Sequence, residues 1–350
     1  MTKKNRIYLY IALFIGFAVL FNELRKISVT DLLRELNELK LSWLLVAVGC
    51  MLLHWAIEGK IIQGLLKRQQ GNFSFKNAVR IPLIEHLFNA ITPFSSGGQP
   101  AQLLALVKSG VDPGVSGSVC LMKFVVYQVM IVLNFVACII FGFRLISHEL
   151  QELSYFVMLG FLINVVVVVS LLMLMYCYPM TNAIVKFVMT IVKKFVRGPR
   201  GEALEVAVFE KMANFYEESQ YMRREKSVMS RTFSLTFVQL ICYYIVPYFI
   251  LLSLGVSQVD VLQIVIFHAF IILIISLFPV PGGTGGAEYS FTLLFGSFIA
   301  VTSKLVVAIV LWRIVTHYIG ILLGMVALFV KPDLPKAKIL PAKSSVTELT

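Results

Sequence analysis

The chain has 350 residues, 58% of them hydrophobic and 14% charged, with a mean hydropathy of +0.85. A soluble domain is roughly 45–50% apolar and about 25% charged, so this composition belongs to a chain folded within a bilayer and excludes a large catalytic domain in water. The formal charge of +12 comes from lysines and arginines scattered over short polar segments, the bias of membrane loops rather than a nucleic-acid footprint.

In chain order, residues 7–24 form an apolar run behind a basic start. The layout is that of a signal peptide, but no small residues mark a cleavage position and the run meets Asn22-Glu23, which predicts an uncleaved first span. Residues 27–39 place Val29, Leu32, Leu33, Leu36 and Leu39 at helical spacing with charges opposite, an amphipathic helix for the outer interface. Further full spans are predicted over residues 41–62, 115–143, 153–178, 230–254 and 305–330, each near the ~20 apolar residues that cross hydrocarbon. Two other segments, 78–108 and 261–303, are apolar on both sides of a Gly/Pro-rich interruption. Residues 202–226 begin with Glu202 and Glu205 and end with Arg223, Arg224 and Lys226, which suits the helix dipole and reads as a cytoplasmic surface helix. Cys50, Cys120, Cys138, Cys177 and Cys242 lie in apolar stretches without metal or pairing periodicity and read as small core hydrophobes.

Loop charge predicts the orientation. Lys3, Lys4 and Arg6 hold the N-terminus in the cytoplasm, the balanced loop 22–40 lies outside, and Lys60, Lys67, Arg68, Lys76 and Arg80 return the chain inside. Lys108 follows the first interrupted segment, so both its ends can sit on the cytoplasmic side. The loop with His148, Glu149 and Glu152 lies outside, and the basic stretch 186–231 inside. The second interrupted segment then enters from the outside, and Lys331, Lys336, Lys338 and Lys343 end the chain in the cytoplasm. The expected fold is therefore an all-α polytopic membrane protein of about six full spans and two re-entrant broken-helix hairpins, about eight membrane segments. Residues 1–330 form one domain of two inverted halves, near 1–146 and 147–330, and residues 331–350 a disordered cytoplasmic tail.

The interruptions are "NAITPFSSGGQPAQ" (89–102) and "FPVPGGTGGAEYSF" (278–291). They share Pro93-x3-Gly97-Gly98 and Pro281-x3-Gly285-Gly286. Irregular backbone within hydrocarbon is tolerated only against protein or a wet cavity. Pro93 cannot continue the preceding helix, Gly97 and Gly98 admit a close ligand, and Pro100 suits the next helix's first turn. Backbone N–H groups left free there would suit a phosphate; a surface loop with a tight turn is the alternative. In the second break Gly282, Gly283, Gly285 and Gly286 make the bend. Glu288 follows them, either as a dipole-compensating carboxylate or as a ligand contact. No phosphate-binding-loop ending or strand–helix unit accompanies these glycines.

Ionisable residues deep in spans are functional candidates. Glu85 and Asn89 lie one helical turn apart before the first break, with His86 adjacent, and Glu85 with His86 could relay protons. Arg313 and His317, at i and i+4, share one face of the last span. Lys123 is either a site residue or a lysine reaching for the interface, and His54 and His268 read as satisfied core residues. The predicted substrate-binding set is thus Glu85, Asn89, Pro93, Gly97, Gly98, Gln99, Lys123, Pro281, Gly282, Gly283, Gly285, Gly286, Glu288, Arg313 and His317. No metal-ligand spacing, nucleophile elbow or intramembrane aspartate pair occurs, so no catalytic residue, metal or cofactor is expected, and binding or passage suits the inventory better than catalysis.

"TPFSSGGQPAQ" and "PVPGGTGGAEYSF", set among these spans, resemble the membrane region of bacterial lysylphosphatidylglycerol synthases, the multiple peptide resistance factors, within the wider group of flippase-like integral membrane proteins. The resemblance covers about residues 5–330. It implies a protein of the bacterial cell membrane that moves lysyl-phosphatidylglycerol or another anionic or polar phospholipid between leaflets, which contributes to resistance to cationic antimicrobial peptides. Full-length members of that family carry a cytoplasmic domain that transfers lysine from lysyl-tRNA to phosphatidylglycerol. Here only a short tail follows the last span, so lysyltransferase activity, the alternative function, is expected to need a separately encoded lipid-modifying partner. An ion-coupled solute transporter is a third reading. Membrane phospholipids are the expected partners and no direct nucleic-acid contact is expected; headgroup, energy source and oligomeric state stay open.

Overall fold

A computed structural model describes residues 3–70, 73–149, 154–195, 198–297, 299 and 301–333, and every regular element among them is a helix. The tail beyond residue 333 and residues 150–153, which include Glu152 of the predicted outer loop, lie outside the described residues, whereas His148 and Glu149 of that loop end a helix, Pro113–Glu149. α1 (Lys3–Leu24) covers the predicted first span. α2 (Val29–Asn37) starts where the Ser28 hydroxyl accepts the Asp31 N–H, the side-chain capping that relieves an orphan donor. The long spans follow as α3 (Leu41–Gln70) and α6 (Pro113–Glu149), separated by the first interrupted segment. That segment is α4 (Phe75–Ile91), a short 3-10 turn at Pro93–Ser95 and α5 (Gly98–Lys108), with α4 and α5 packed on each other.

α7 (Ser154–Tyr176) matches the fourth predicted span. A bend of 117° then leads into α8 (Tyr178–Phe195), a helix that the sequence reading had assigned to the end of a span and a cytoplasmic stretch. Pro179 follows the bend at once, at the second helical position where its missing N–H costs nothing. Cys177, at the same bend, is exposed, which corrects its assignment to the core, while Cys120, Cys138 and Cys242 are buried. α9 (Pro199–Arg224) is the predicted surface helix and packs on α6, α7 and α8. α10 (Lys226–Tyr244) and α11 (Val246–Ser253), joined at Ile245 ahead of Pro247, make one span. The second interrupted segment comprises α12 (Val261–Ile275), a 3-10 turn at Pro281–Gly283 and α13 (Gly286–Phe295). α12 stops at Ile275, short of Pro279 and Pro281, so the prolines extend the break rather than end the helix. α14 (Thr302–Arg313), a π turn at Ile314–Tyr318 and α15 (Ile319–Phe329) form the last span.

Four of these units are long and apolar enough to cross a bilayer: Leu41–Lys67, Pro113–Phe141, Lys226–Ser253 and Thr302–Phe329. The last is the innermost, with 61% of its most apolar stretch buried against 17% for Leu41–Lys67. Its own Trp312 and the neighbouring Phe267, Phe291 and Phe295 fill the centre, with the Phe291 and Phe295 rings stacked 4.2 Å apart. Outside this core, large apolar side chains such as Phe14, Leu45, Ile140, Leu162 and Phe329 stay exposed, as lipid-facing helices require.

The medium also decides which face of α2 turns inward. Leu32 and Leu39 touch the core, but Val29, Leu33 and Leu36 are exposed and Glu35 is buried, accepting the Ser303 hydroxyl at 2.8 Å. Arg80, counted among the basic residues that return the chain inside, lies within α4. It donates through Nε to the Ala327 carbonyl at 2.8 Å and through Nη1 to Ser109 at 3.2 Å, satisfying a carbonyl of the last turn of α15. Asp333 ties the end of that span to the start of α4, with its N–H and carbonyl paired to Asn77 at 3.0 and 2.7 Å and its carboxylate on Lys76 and Ser74.

α4 and α15 approach so closely that a Cβ on Gly324 would strike the Leu83 carbonyl and come within 2.7 Å of the Leu87 Cβ. Nothing lies within 4 Å of a Cβ at Gly49 on α3. Gly324→Ala is expected to lower stability by about 1–3 kcal/mol through overpacking, whereas Gly49→Ala gains up to ~1 kcal/mol of helix propensity. Thermal unfolding of the two variants in detergent should move in opposite directions.

Candidate functional site

The two interruptions meet: the turn at Pro93–Ser95 packs on the turn at Pro281–Gly283, and α4 also packs against the latter. Each reverses direction through backbone that L-residues rarely adopt, with φ of 51° and 53° at Phe94 and Ser95, and 64°, 60° and 91° at Gly282, Gly283 and Gly285. A non-glycine residue held at positive φ costs on the order of 1 kcal/mol or more, so Phe94 and Ser95 persist because their surroundings impose it.

A buried ionic cluster lies beside the first break. Lys123 on α6 is ion-paired with both Glu58 of α3 and Glu85 of α4. Gln99, in the first turn of α5, donates to Glu85 Oε1 at 3.1 Å, and Gln239 of α10 donates to Glu58 Oε2 at 3.1 Å. All three charged side chains are buried, so Lys123 does not reach for the interface. The ammonium between two carboxylates is what permits burial at all, since an unpaired charge in this setting costs several kcal/mol. With every group ionised the cluster carries one negative charge in excess. One turn before Glu58, His54 donates from Nδ1 to the Gln239 carbonyl at 2.9 Å, as a carbonyl partner requires.

The second cluster flanks the other break. Arg313 donates through Nε to Glu288 Oε1 at 2.5 Å and through Nη1 to the Gly282 carbonyl at 3.2 Å. Glu288 Oε2 in turn accepts the Gly285 N–H at 2.6 Å. The carboxylate thus caps the half-helix, the first of the two roles posed for it, and also pairs with the guanidinium. Arg313 is only 4% exposed, yet its Nη2 has no hydrogen-bond partner. A buried donor without an acceptor is rare enough to need a reason.

Histidines join the two clusters. His86, next to Glu85, lies edge-on to Trp55 and to His317, with ring centroids 5.7 and 6.2 Å away. His317 sits in the π turn that follows Arg313, and a side chain on Gly282 would run into its ring. Single π turns inside helices often mark functional positions. Here the turn lets Arg313 and His317 both reach Gly282.

The remaining predicted residues shape the junction. Pro93 and Pro281 open the two 3-10 turns. Asn89 accepts the Gly98 N–H at 3.0 Å, and Thr92 Oγ1 accepts the Gly97 N–H at 2.9 Å. Gly283 packs under Ile275 and Gly286 under Phe278 without room for a side chain. These bonds correct one expectation: the amides of Gly97, Gly98 and Gly285 are not free for a phosphate. Buried donors must be satisfied, and nearby side chains do it. Among the charged side chains of the two clusters, it is Arg313 that keeps a donor, Nη2, without a partner. His54 and His268 are core residues as expected; His268 accepts the Trp312 indole N–H at 3.0 Å and faces the Tyr244 carbonyl through Nδ1 at 3.1 Å.

Glu58 and Gln239 were not anticipated. Glu58 stood in plain view as a carboxylate one turn after His54 in a predicted span, the same i, i+4 pattern that singled out Arg313 and His317. Gln239 carried no local signal. Among the described residues no group of three or more His, Cys, Asp or Glu could hold a metal ion.

The architecture is that of a polytopic helical membrane protein with a buried polar junction between two broken helices. The chain belongs to the family described as the lysylphosphatidylglycerol synthase TM region, whose model matches residues 7–324. It is also 26% identical over 301 residues to a UPF0104 membrane protein of Archaeoglobus fulgidus, a match that covers 82% of this chain and 86% of that one.

Lys123→Met leaves two buried carboxylates facing each other and is expected to cost about 3–5 kcal/mol. Adding Glu58→Gln and Glu85→Gln to that variant should recover more than half of the loss, as read by denaturant unfolding in detergent micelles.

Proposed function

We propose that the protein is a lipid translocase whose substrate headgroup passes the junction of the two breaks. The observation that carries this reading is the Arg313 guanidinium, buried at that junction with Nη2 unpartnered. It offers a phosphate the charge-assisted donor that the capped amides no longer provide. Two carboxylates around one ammonium in the Glu58–Lys123–Glu85 cluster suit a headgroup amine, as in lysyl-phosphatidylglycerol, when both are ionised. Acyl chains stay in the surrounding lipid, against the exposed apolar helix faces. Carrying a charged headgroup through bare hydrocarbon costs on the order of several kcal/mol or more, so a polar path of this kind speeds the passage greatly.

The parallel build of the segments, helix, 3-10 turn, helix, twice over, supports two halves of inverted topology with a site at their interface. In this reading the protein sits in the cell membrane with both termini in the cytoplasm. Export of an aminoacylated lipid would lower the negative charge of the outer leaflet and protect against cationic peptides.

The test is lipid movement in proteoliposomes with a panel of labelled phospholipids. Arg313→Gln and Glu288→Gln are expected to slow it by at least about tenfold, a barrier increase of ~1.4 kcal/mol. Arg313→Lys should not restore it, because one ammonium cannot hold Glu288 and Gly282 and still present a free donor in the guanidinium plane. Wild-type movement in both Gln variants sinks the site. Lipid extracts from cells with and without the protein separate this reading from a lysyltransferase: new aminoacyl-lipid would favour the enzyme, a changed outer-leaflet share alone the translocase.

A further inference from the structure

Away from the junction, a cavity of about 450 Å³ opens where the end of α3 meets the start of α10, lined by Lys60, Gln63, Lys67, Ser74 and Arg231 with Gly64 as its floor. Three cations face it, Lys60 also donating to Gln63 Oε1 at 3.1 Å, and among the described residues no carboxylate lines it. Asp333 reaches Ser74 at its edge, but that carboxylate is already held by Lys76 at 2.8 Å. A second cavity of about 380 Å³ shares Lys60, Gly64, Lys67 and Arg231 and continues between the same helices along Ile61, Val228 and Leu235. The pair is therefore cationic at one end and apolar along its length, between two helices that each cross a bilayer by length and composition. Basic pockets between such helices attract phosphate-bearing headgroups, and a volume of this size is ample for one.

We propose that this groove is a binding site for an anionic phospholipid, its phosphate among Lys60, Lys67 and Arg231 and one acyl chain along Ile61, Val228 and Leu235. The site is separate from the Arg313 junction and stands whether or not that junction moves lipid. It adjoins the first ionic cluster through the chain, since Lys60 is two residues beyond Glu58 and Arg231 is two helical turns before Gln239. A lipid that bridges α3 and α10 here would clamp together the helices whose Glu58 and Gln239 are hydrogen-bonded.

Gly64 allows a test that does not depend on charge. Nothing lies within 4 Å of a Cβ built there, so Gly64→Leu fills the cavity while favouring the helix. The full-length protein in phosphatidylcholine nanodiscs is titrated with phosphatidylglycerol, and retained lipid is read by native mass spectrometry. Circular dichroism confirms that each variant is folded. Both Gly64→Leu and the K60Q/K67Q/R231Q variant are expected to weaken phosphatidylglycerol retention at least about tenfold, ~1.4 kcal/mol. Undiminished retention in Gly64→Leu, whether or not the charge variant weakens it, overturns the proposal, because only diffuse surface attraction is then left. Displacement of the lipid by glycerol 3-phosphate at equal concentration also overturns it, since the site would then read a soluble phosphate ester rather than a lipid.

Discussion

A charge inside hydrocarbon must be met by another charge or by a hydrogen bond, and the arrangement of this molecule follows from that constraint. Lys123 draws Glu58 and Glu85 to itself from two other helices, and Gln99 and Gln239 complete the carboxylates from two more. Five helices are thus held around one buried cluster. Apolar contact could not choose their arrangement alone, because lipid is as apolar as the side chains and offers little penalty for separating them. The same logic places Glu35 inward on α2 while Leu33 and Leu36 face outward, and sends Arg80 to a helix-end carbonyl.

Backbone obeys the same rule. A helix cannot be interrupted within the bundle unless its freed donors find acceptors. Asn89, Thr92 and Glu288 supply them for Gly98, Gly97 and Gly285, and the two turns then pack on one another. With those amides satisfied, the buried guanidinium of Arg313 still keeps Nη2 without a partner.

Much of this was legible in the chain. Hydropathy located the long helices, because burial in lipid demands an unbroken apolar run, and Pro93, Pro281 and the glycine pairs located both interruptions. Glu85, Lys123, Glu288 and Arg313 could be singled out because an ionisable residue in a span is conspicuous. Their partners could not. Glu58 had a local signal in His54 one turn away, yet nothing in sequence says that a carboxylate on α3 and another on α4 meet the same lysine on α6. The bend before α8 was hidden because Tyr176–Cys177–Tyr178 looks like the end of a span whether the chain turns there or leaves the membrane.

By itself the sequence determined that this is a helical membrane protein, where its long helices run, where two of its segments break and which ionisable residues stand within them. Periodicity and hydropathy are properties of contiguous residues, and they suffice for such features. Tertiary structure alone decided that the breaks meet, that Lys123 serves two carboxylates, and that the glycine amides are capped from within. It also decided that Arg313 keeps one donor unspent. Each of those facts depends on side chains from helices far apart in the chain coming within hydrogen-bond distance, which no local pattern records.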